Sequence, residues 1–237
     1  MAHGFRFKRF GVSHDGPAMK VGTDGVLLGA WCTVREGTER ALDVGTGTGL
    51  IALMLAQRGE GWGMAVDAVE VDAGVAGQAE ANVQSSPWSG RVRVINSPVQ
   101  DFGGSGYGLV VSNPPYFEES LLPPEPSRMA ARHTRLLTHD ELAASAARLL
   151  APDGIFAMVL PHAAGEDFIA ICREAGLHLH RQTTVRTTPA AEPKRTLMEF
   201  GRETVATIAE DTLVVQTAPE RYTAEYMALT RDFYLKF

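Results

Sequence analysis

The chain has 237 residues, of which 45% are apolar and 21% charged, a composition far from collagen-like, coiled-coil or disordered sequences. Its two cysteines, Cys32 and Cys172, exclude a disulfide framework and a four-thiolate zinc site, and no metal is expected. No run approaches the ~20 consecutive apolar residues of a membrane span. The formal net charge of −6 argues against a nucleic-acid binder only until its distribution is read. Arg6, Lys8, Arg9 and Lys20 stand against Asp15, and Arg128, Arg132, His133 and Arg135 stand against no acid. Glu60, Asp67, Glu70, Asp72 and Glu80 gather without a base. Met1–Phe10 lacks an apolar signal core, so a cytoplasmic location is expected.

In chain order, Ala41–Val44 reads as a short buried strand. Leu50–Arg58 reads as a helix, with Leu50, Leu53, Met54 and Gln57 on one face. Between them lies Asp43-Val44-Gly45-Thr46-Gly47-Thr48-Gly49. Glycines let such a turn bend sharply and approach a ligand where a Cβ would collide. The dinucleotide-binding fingerprint would need its third glycine where Leu50 stands, so that spacing fails. Ala65–Val71 is a second strand ending near Glu70, an acid placed to accept hydrogen bonds from ribose hydroxyls. Ala73–Val83 is a helix capped by Asp72, and strands follow at Arg91–Asn96 and Gly108–Ser112.

Directly after that strand comes Asn113-Pro114-Pro115-Tyr116. Two prolines stiffen the backbone and leave carbonyls without matching N–H donors. The Asn113 side-chain oxygen and the Pro114 carbonyl can then accept both hydrogens of one planar amino group, while Tyr116 offers a stacking face. The stretch Phe117–Leu137 is too long and irregular for a routine connection, which favours a functional loop. Thr138-His139-Asp140-Glu141 opens a helix with a capping box. Ile155–Leu160 is a strand, and Glu166–Ala175 a helix closed by Gly176. His178–Arg186 and Thr196–Gly201 alternate at period two, as antiparallel strands at the end of the sheet do. Lys194 and Arg195 precede the second of these, where charge guards an edge. Val205–Gln216 reads as a hairpin turning at Glu210-Asp211, and Thr223–Arg231 as a short terminal helix. Strand–helix alternation of this kind means an α/β fold, a mostly parallel sheet with helices on both faces. Its ligands sit beyond the carboxyl ends of the strands, which is where both motifs lie.

The glycine loop, with an acid two positions before its first glycine, resembles motif I of class I S-adenosylmethionine-dependent methyltransferases. The tetrapeptide at Asn113 resembles the signature of those that methylate adenine N6, cytosine N4 or glutamine N5. The likeness extends over nearly the whole chain. Phe7–Phe10, Met19–Gly25, the glycine loop, Asn113–Phe117, Met129–His133, Lys194–Phe200 and Arg221–Phe237 are similar to the tRNA1(Val) adenine-N6 methyltransferase family.

That resemblance implies a Rossmann-like, seven-stranded sheet with an antiparallel C-terminal edge. It implies a single domain over residues 1–237, in which residues 1–40 cover the cofactor and substrate side. The cofactor implied is S-adenosyl-L-methionine, with S-adenosyl-L-homocysteine as product. The partner is a tRNA, bound through its anticodon stem-loop and methylated on adenine-37, with no membrane and no obligatory protein partner. Lys20, Thr23, Asp24, Asp43, Gly45, Thr46, Gly47, Glu70, Asp101 and Asn113 are then expected at the cofactor, and Asn113, Pro114, Pro115 and Tyr116 at the base. The tetrapeptide chemistry alone also fits a glutamine-N5 methyltransferase acting on release factors, and the fold alone fits a non-catalytic RNA-binding protein. Arg6, Lys8 and Arg9, with Arg128, Arg132 and Arg135, are expected to form one basic rim around the pocket. The acids from Glu60 to Glu80 are expected to lie apart from it.

Overall fold

Apolar residues of the central strands point alternately to the two faces of one sheet, and each face is covered. In the computed structural model, which describes residues 4–13, 21–114 and 137–236, Ala41, Leu109, Val111, Ala157 and Val159 pack into one core. Their neighbours Leu42, Val110, Phe156, Met158 and Leu160 pack into the other. A period of two with both sets buried produces the near-continuous apolar runs of a parallel sheet.

The chain begins with a hairpin, β1 (Gly4–Arg6) and β2 (Gly11–Ser13), followed by helix α1 (Thr23–Trp31). Alternation then runs β3 (Arg40–Val44), α2 (Leu50–Arg58), β4 (Ala65–Glu70), α3 (Ala73–Gln84), β5 (Val92–Asn96) and β6 (Tyr107–Ser112). The second half holds α4 (His139–Leu149), β7 (Leu150–Pro161), α5 (Gly165–Glu174), β8 (His178–Arg186), β9 (Arg195–Gly201) and β10 (Ala209–Val214). A short hairpin, β11 (Gln216–Ala218) and β12 (Arg221–Tyr222), leads into α6 (Ala224–Thr230). Helices α1, α2 and α6 supply the first core. Helices α4 and α5 supply the second through Leu142, Ala146, Phe168 and Cys172. The expected caps are present: Asp72 accepts from the Val75 N–H, the Thr138–Glu141 capping box closes, and Gly176 takes φ +79°.

Among the described residues the main sheet has the order β10-β8-β9-β7-β6-β3-β4-β5, eight strands where seven were expected. The eighth is β10, in place of the expected hairpin over Val205–Gln216. Glu210 and Asp211 do not turn; they pair in parallel register with Gln182 and Thr183. Only Leu213 of β10 is buried, so an outermost strand can carry these acids in solvent, where they also discourage edge pairing. Strand β9 is antiparallel to both β7 and β8 and lies between them. Lys194 and Arg195 therefore do not guard an edge.

Candidate active site

The strand order reverses between β3 and β6, the switch point at which open α/β sheets bind ligands. Val44 and Ser112 are register partners there, and the Ser112 hydroxyl donates to the Val44 carbonyl at 3.0 Å. The glycine loop and Asn113 consequently leave adjacent strands at one level. On the other side Val44 pairs with Val69, which puts Glu70 beside the loop.

Three glycines of the loop have positive φ: Gly45 at +69°, Gly47 at +58° and Gly49 at +81°. The backbone N–H groups of Gly45 and Thr46 both donate to the Val69 carbonyl, at 2.9 and 3.0 Å. A Cβ on Gly49 would lie 3.6 Å from Ala79, an ordinary contact, so its left-handed backbone rather than crowding calls for glycine there. A Cβ on Gly45 or Gly47 would meet no atom within 4 Å. The loop thus forms a cradle open to a ligand.

Asp43 lies beneath it, 1% exposed. Its Oδ2 accepts from the Thr46 hydroxyl at 2.6 Å and from the Ala52 N–H at 3.1 Å. Its Oδ1 is buried with no hydrogen-bond partner among the described residues. Burial pushes its pKa up to about 7, against the pull of the Thr46 and Ala52 hydrogen bonds, and the Glu70 charge adds to the rise. Glu70 is half-buried. Its Oε2 accepts from the Gly47 N–H at 3.0 Å and its Oε1 from the Asp72 N–H at 3.1 Å. Each oxygen retains a lone pair for a hydroxyl donor.

Asn113 is half-buried and Pro114 buried. Helix α1 begins against this asparagine: a Cβ on Gly25 would lie 3.7 Å from Asn113 Nδ2 and 3.2 Å from Leu50. Asp24, one residue earlier, accepts from Arg195 Nε at 2.8 Å. Asp101 is exposed in a turn closed by its own N–H to the Pro98 carbonyl. Glu70 adjoins Asn96, whose amide donates to the Glu70 and Val71 carbonyls at 2.9 Å. Lys20, Pro115, Tyr116, Arg128, Arg132, His133 and Arg135 lie outside the described residues.

Residues 26–172 match the family model "Methyltransferase small domain". A tRNA1(Val) (adenine(37)-N6)-methyltransferase of Phocaeicola vulgatus is 46% identical over 232 residues, covering 98% of this chain and 97% of that one. The protein of the same name from Tolumonas auensis is 43% identical over 234 residues, with 99% and 98% covered. This chain belongs to the tRNA1(Val) adenine-N6 methyltransferase family. Among solved structures, one titled a predicted O-methyltransferase from Agrobacterium tumefaciens superposes with a TM-score of 0.69 at 18% identity, covering 89% of this chain and 96% of that one. The architecture is that of class I methyltransferases, and S-adenosyl-L-methionine is their methyl donor.

The basic rim expected from the charge distribution is corrected in its N-terminal half. Arg9 reaches Glu60 at 2.5 Å and lies over the Trp88 ring at 5.2 Å. Lys8 donates to the Arg231 carbonyl. Both are used in tying the N-terminal hairpin down, and Glu60 is joined to the supposed rim. Only Arg6 of the three lines a cavity that includes Thr23 and Asp24.

Asn82 was missed by sequence reasoning. It sits on the buried side of α3, 4% exposed. Its amide donates to the Ser13 and Thr48 carbonyls at 3.0 and 2.9 Å, and its oxygen accepts from the Ser13 N–H. The N-terminal hairpin is thereby fastened to the glycine loop. The available signal was an amide in the apolar spacing of Ala79 and Val83.

Proposed function

We propose that this chain transfers a methyl group from S-adenosyl-L-methionine to N6 of adenine-37 in tRNA1(Val), as the names of its relatives state for those proteins. The observation that carries the reading is the Val44–Ser112 register, which sets Asn113 and Pro114 beside the glycine cradle.

The residues present fit the cofactor. Gly45 and Gly47 open a space that any Cβ would narrow, and Asp43 Oδ1 is a buried acceptor with no partner among the described residues. Glu70, already oriented by two backbone N–H groups, is assigned the ribose hydroxyls. Asp43 and Thr46 are assigned the support of the loop. Lys20, Thr23, Asp24 and Asp101 remain assigned to the cofactor's surroundings, with Asp24 also bound to Arg195. When bound, S-adenosyl-L-methionine supplies an electrophilic sulfonium methyl.

The chain's own part is positioning. The adenine amino group is nearly planar, and its lone pair is delocalised into the ring. Asn113 Oδ1 and the Pro114 carbonyl accept its two hydrogens, which favours pyramidal nitrogen and turns the lone pair toward the methyl donor. Tyr116 is assigned the face of the base and Pro115 the stiffness of the segment. A general base is unnecessary before attack, because the nitrogen becomes acidic only as the new bond forms and then releases its extra proton to water. An anticodon-loop adenine is already unpaired, so extruding it costs less than opening a duplex. No helix of the described residues is long and apolar enough to cross a membrane; the reaction is assigned to the cytoplasm because its proposed substrate, a tRNA, resides there. Residues 1–237 are read as one catalytic unit, since the N-terminal hairpin is fastened to α3 and to Phe233.

The test is transfer of labelled methyl to total tRNA, to a release factor and to duplex DNA. Incorporation confined to tRNA, at an adenine N6, is expected. Asn113→Ala should lower kcat by about 10²–10³, the loss typical of one preorganised transition-state group, with a much smaller change in cofactor affinity. Methylation of the release factor alone, or a fully active Asn113→Ala protein, would overturn the reading.

A further inference from the structure

The carboxyl end of the sheet continues past Asn113 toward β8 and β10. There the hairpin strand β1, the start of α1, the residues flanking β9 and the C-terminal segment enclose a cavity of about 830 Å³, within the range that takes a ligand of nucleotide size. Four cations line it, Arg6, Lys194, Arg195 and Lys236, against a single acid, Asp24. That acid is ion-paired with Arg195. Arg6, Lys194 and Lys236 are exposed, with no ion pair among the described residues. In a protein whose net charge is −6, this concentration of positive charge at the ligand-binding end is a local exception.

The same cavity exposes aromatic surface. Tyr222 is 38% exposed and stacks on Tyr226 with ring centroids 5.2 Å apart and planes 20° from parallel. Phe5, also 38% exposed, lies on the cavity wall. Cations around an aromatic platform are the features with which proteins hold single-stranded nucleic acid, the charges tracking phosphates and the rings stacking bases. An acidic peptide would use the cations but leave the exposed aromatic surface of Tyr222 and Phe5 unexplained. The cavity also adjoins the candidate active site: Asp24 lines it, and Gly25, the next residue, stands against Asn113.

We infer that this cavity docks the single-stranded RNA flanking the target adenine, with phosphates on Arg6, Lys194 and Lys236 and a base on Tyr222. The inference rests on the function proposed above and names the surface that function uses. Arg6 and Lys194 are 188 positions apart in the chain, and β9 being internal leaves Lys194 without its expected edge-guarding role.

The experiment measures binding of an adenine-containing single-stranded oligoribonucleotide and of tRNA over a salt series, with cofactor affinity followed by calorimetry. Three phosphate contacts on a single strand contribute about 2 to the slope of log K against log[salt]. The triple variant Arg6→Ala, Lys194→Ala, Lys236→Ala should flatten the slope by that amount. Tyr222→Ala should weaken binding by about 5- to 150-fold, the loss of one stacked base, without changing the slope. Tyr222→Phe should restore it. Cofactor affinity should stay constant throughout, which also shows that the variants fold. Parallel slopes for wild type and triple variant, or polyglutamate bound as tightly as the oligoribonucleotide, would overturn the inference. Wild-type methylation of tRNA alongside parallel slopes would sink the docking surface and leave the function standing. Wild-type protein that transfers no methyl to tRNA would remove the function itself.

Discussion

Gly47→Ala separates what a glycine does for the chain from what it does for a ligand. Gly47 has φ +58°, where an L-residue costs roughly 1–2 kcal/mol. An added Cβ would meet no atom within 4 Å, so no packing penalty adds to that cost. For a chain of this length the melting temperature should fall by about 2–8 °C. Gly63 is a matched control: its φ is +73°, its Cβ would also meet nothing within 4 Å, and it precedes β4 at the opposite end of the sheet. Gly63→Ala should therefore cost the same stability. The two variants should part company over S-adenosyl-L-methionine. A methyl group on Gly47 stands inside the cradle and should weaken the cofactor at least tenfold, about 1.4 kcal/mol, whereas Gly63→Ala should bind it as wild type does. Thermal unfolding with and without cofactor reads both quantities, because ligand that binds only the native state raises the midpoint by mass action. Equal cofactor affinity in the two variants would refute the reasoning and leave Gly47 as a turn residue only.

Three further outcomes follow from the hydrogen bonds of the site and sheet. Glu70→Ala should weaken the cofactor by about 1.5–3 kcal/mol, since hydrogen bonds to a charged group are removed and the Gly47 N–H loses its acceptor; unchanged affinity by calorimetry would misplace the ribose acid. Asp43 binds its proton more tightly folded than unfolded, its pKa being pushed from 3.8 to about 7, so its contribution to stability declines as pH rises from about 4 to about 7. Asp43→Asn should gain on wild type across that window by up to the order of 4 kcal/mol, and a pH-independent difference in denaturant unfolding would count against it. Asp67 has the opposite sign. Burial alone would raise its pKa, but hydrogen bonds from Tyr107, Arg93 and Arg40 outweigh it and hold the carboxylate below its ordinary value. Asp67→Asn should cost about 1.5–3 kcal/mol at neutral pH, and the difference should shrink as pH falls through and below 3.8; a constant difference down to the acid transition would contradict it.

Local order was legible because its causes are local. The register of an apolar run, the Asp72 cap and the Thr138–Glu141 box each depend on residues within one helical turn or two strand positions, so α2 begins and ends where periodicity places it. The two motifs were legible for a related reason. Glycines at positive φ and the paired prolines state backbone requirements in their own chemistry, and both motifs follow strands. Helix α1 was not legible, because Gly25 through Trp31 are buried all round and leave no polar face to mark a period. Strand β10 was hidden by Glu210 and Asp211, which look like a turn until β8 supplies their parallel partners.

The tertiary structure alone decided which distant groups meet. Composition could count the basic clusters, yet only strand order and the docking of the hairpin sent Arg9 to Glu60 and Lys8 to Arg231 while bringing Arg6, Lys194 and Lys236 around one cavity. Periodicity and capping are properties of a segment and its near neighbours. Which charges share a surface depends on the order in which strands assemble, and that order is set by two buried cores drawn from segments between Phe7 and Phe233.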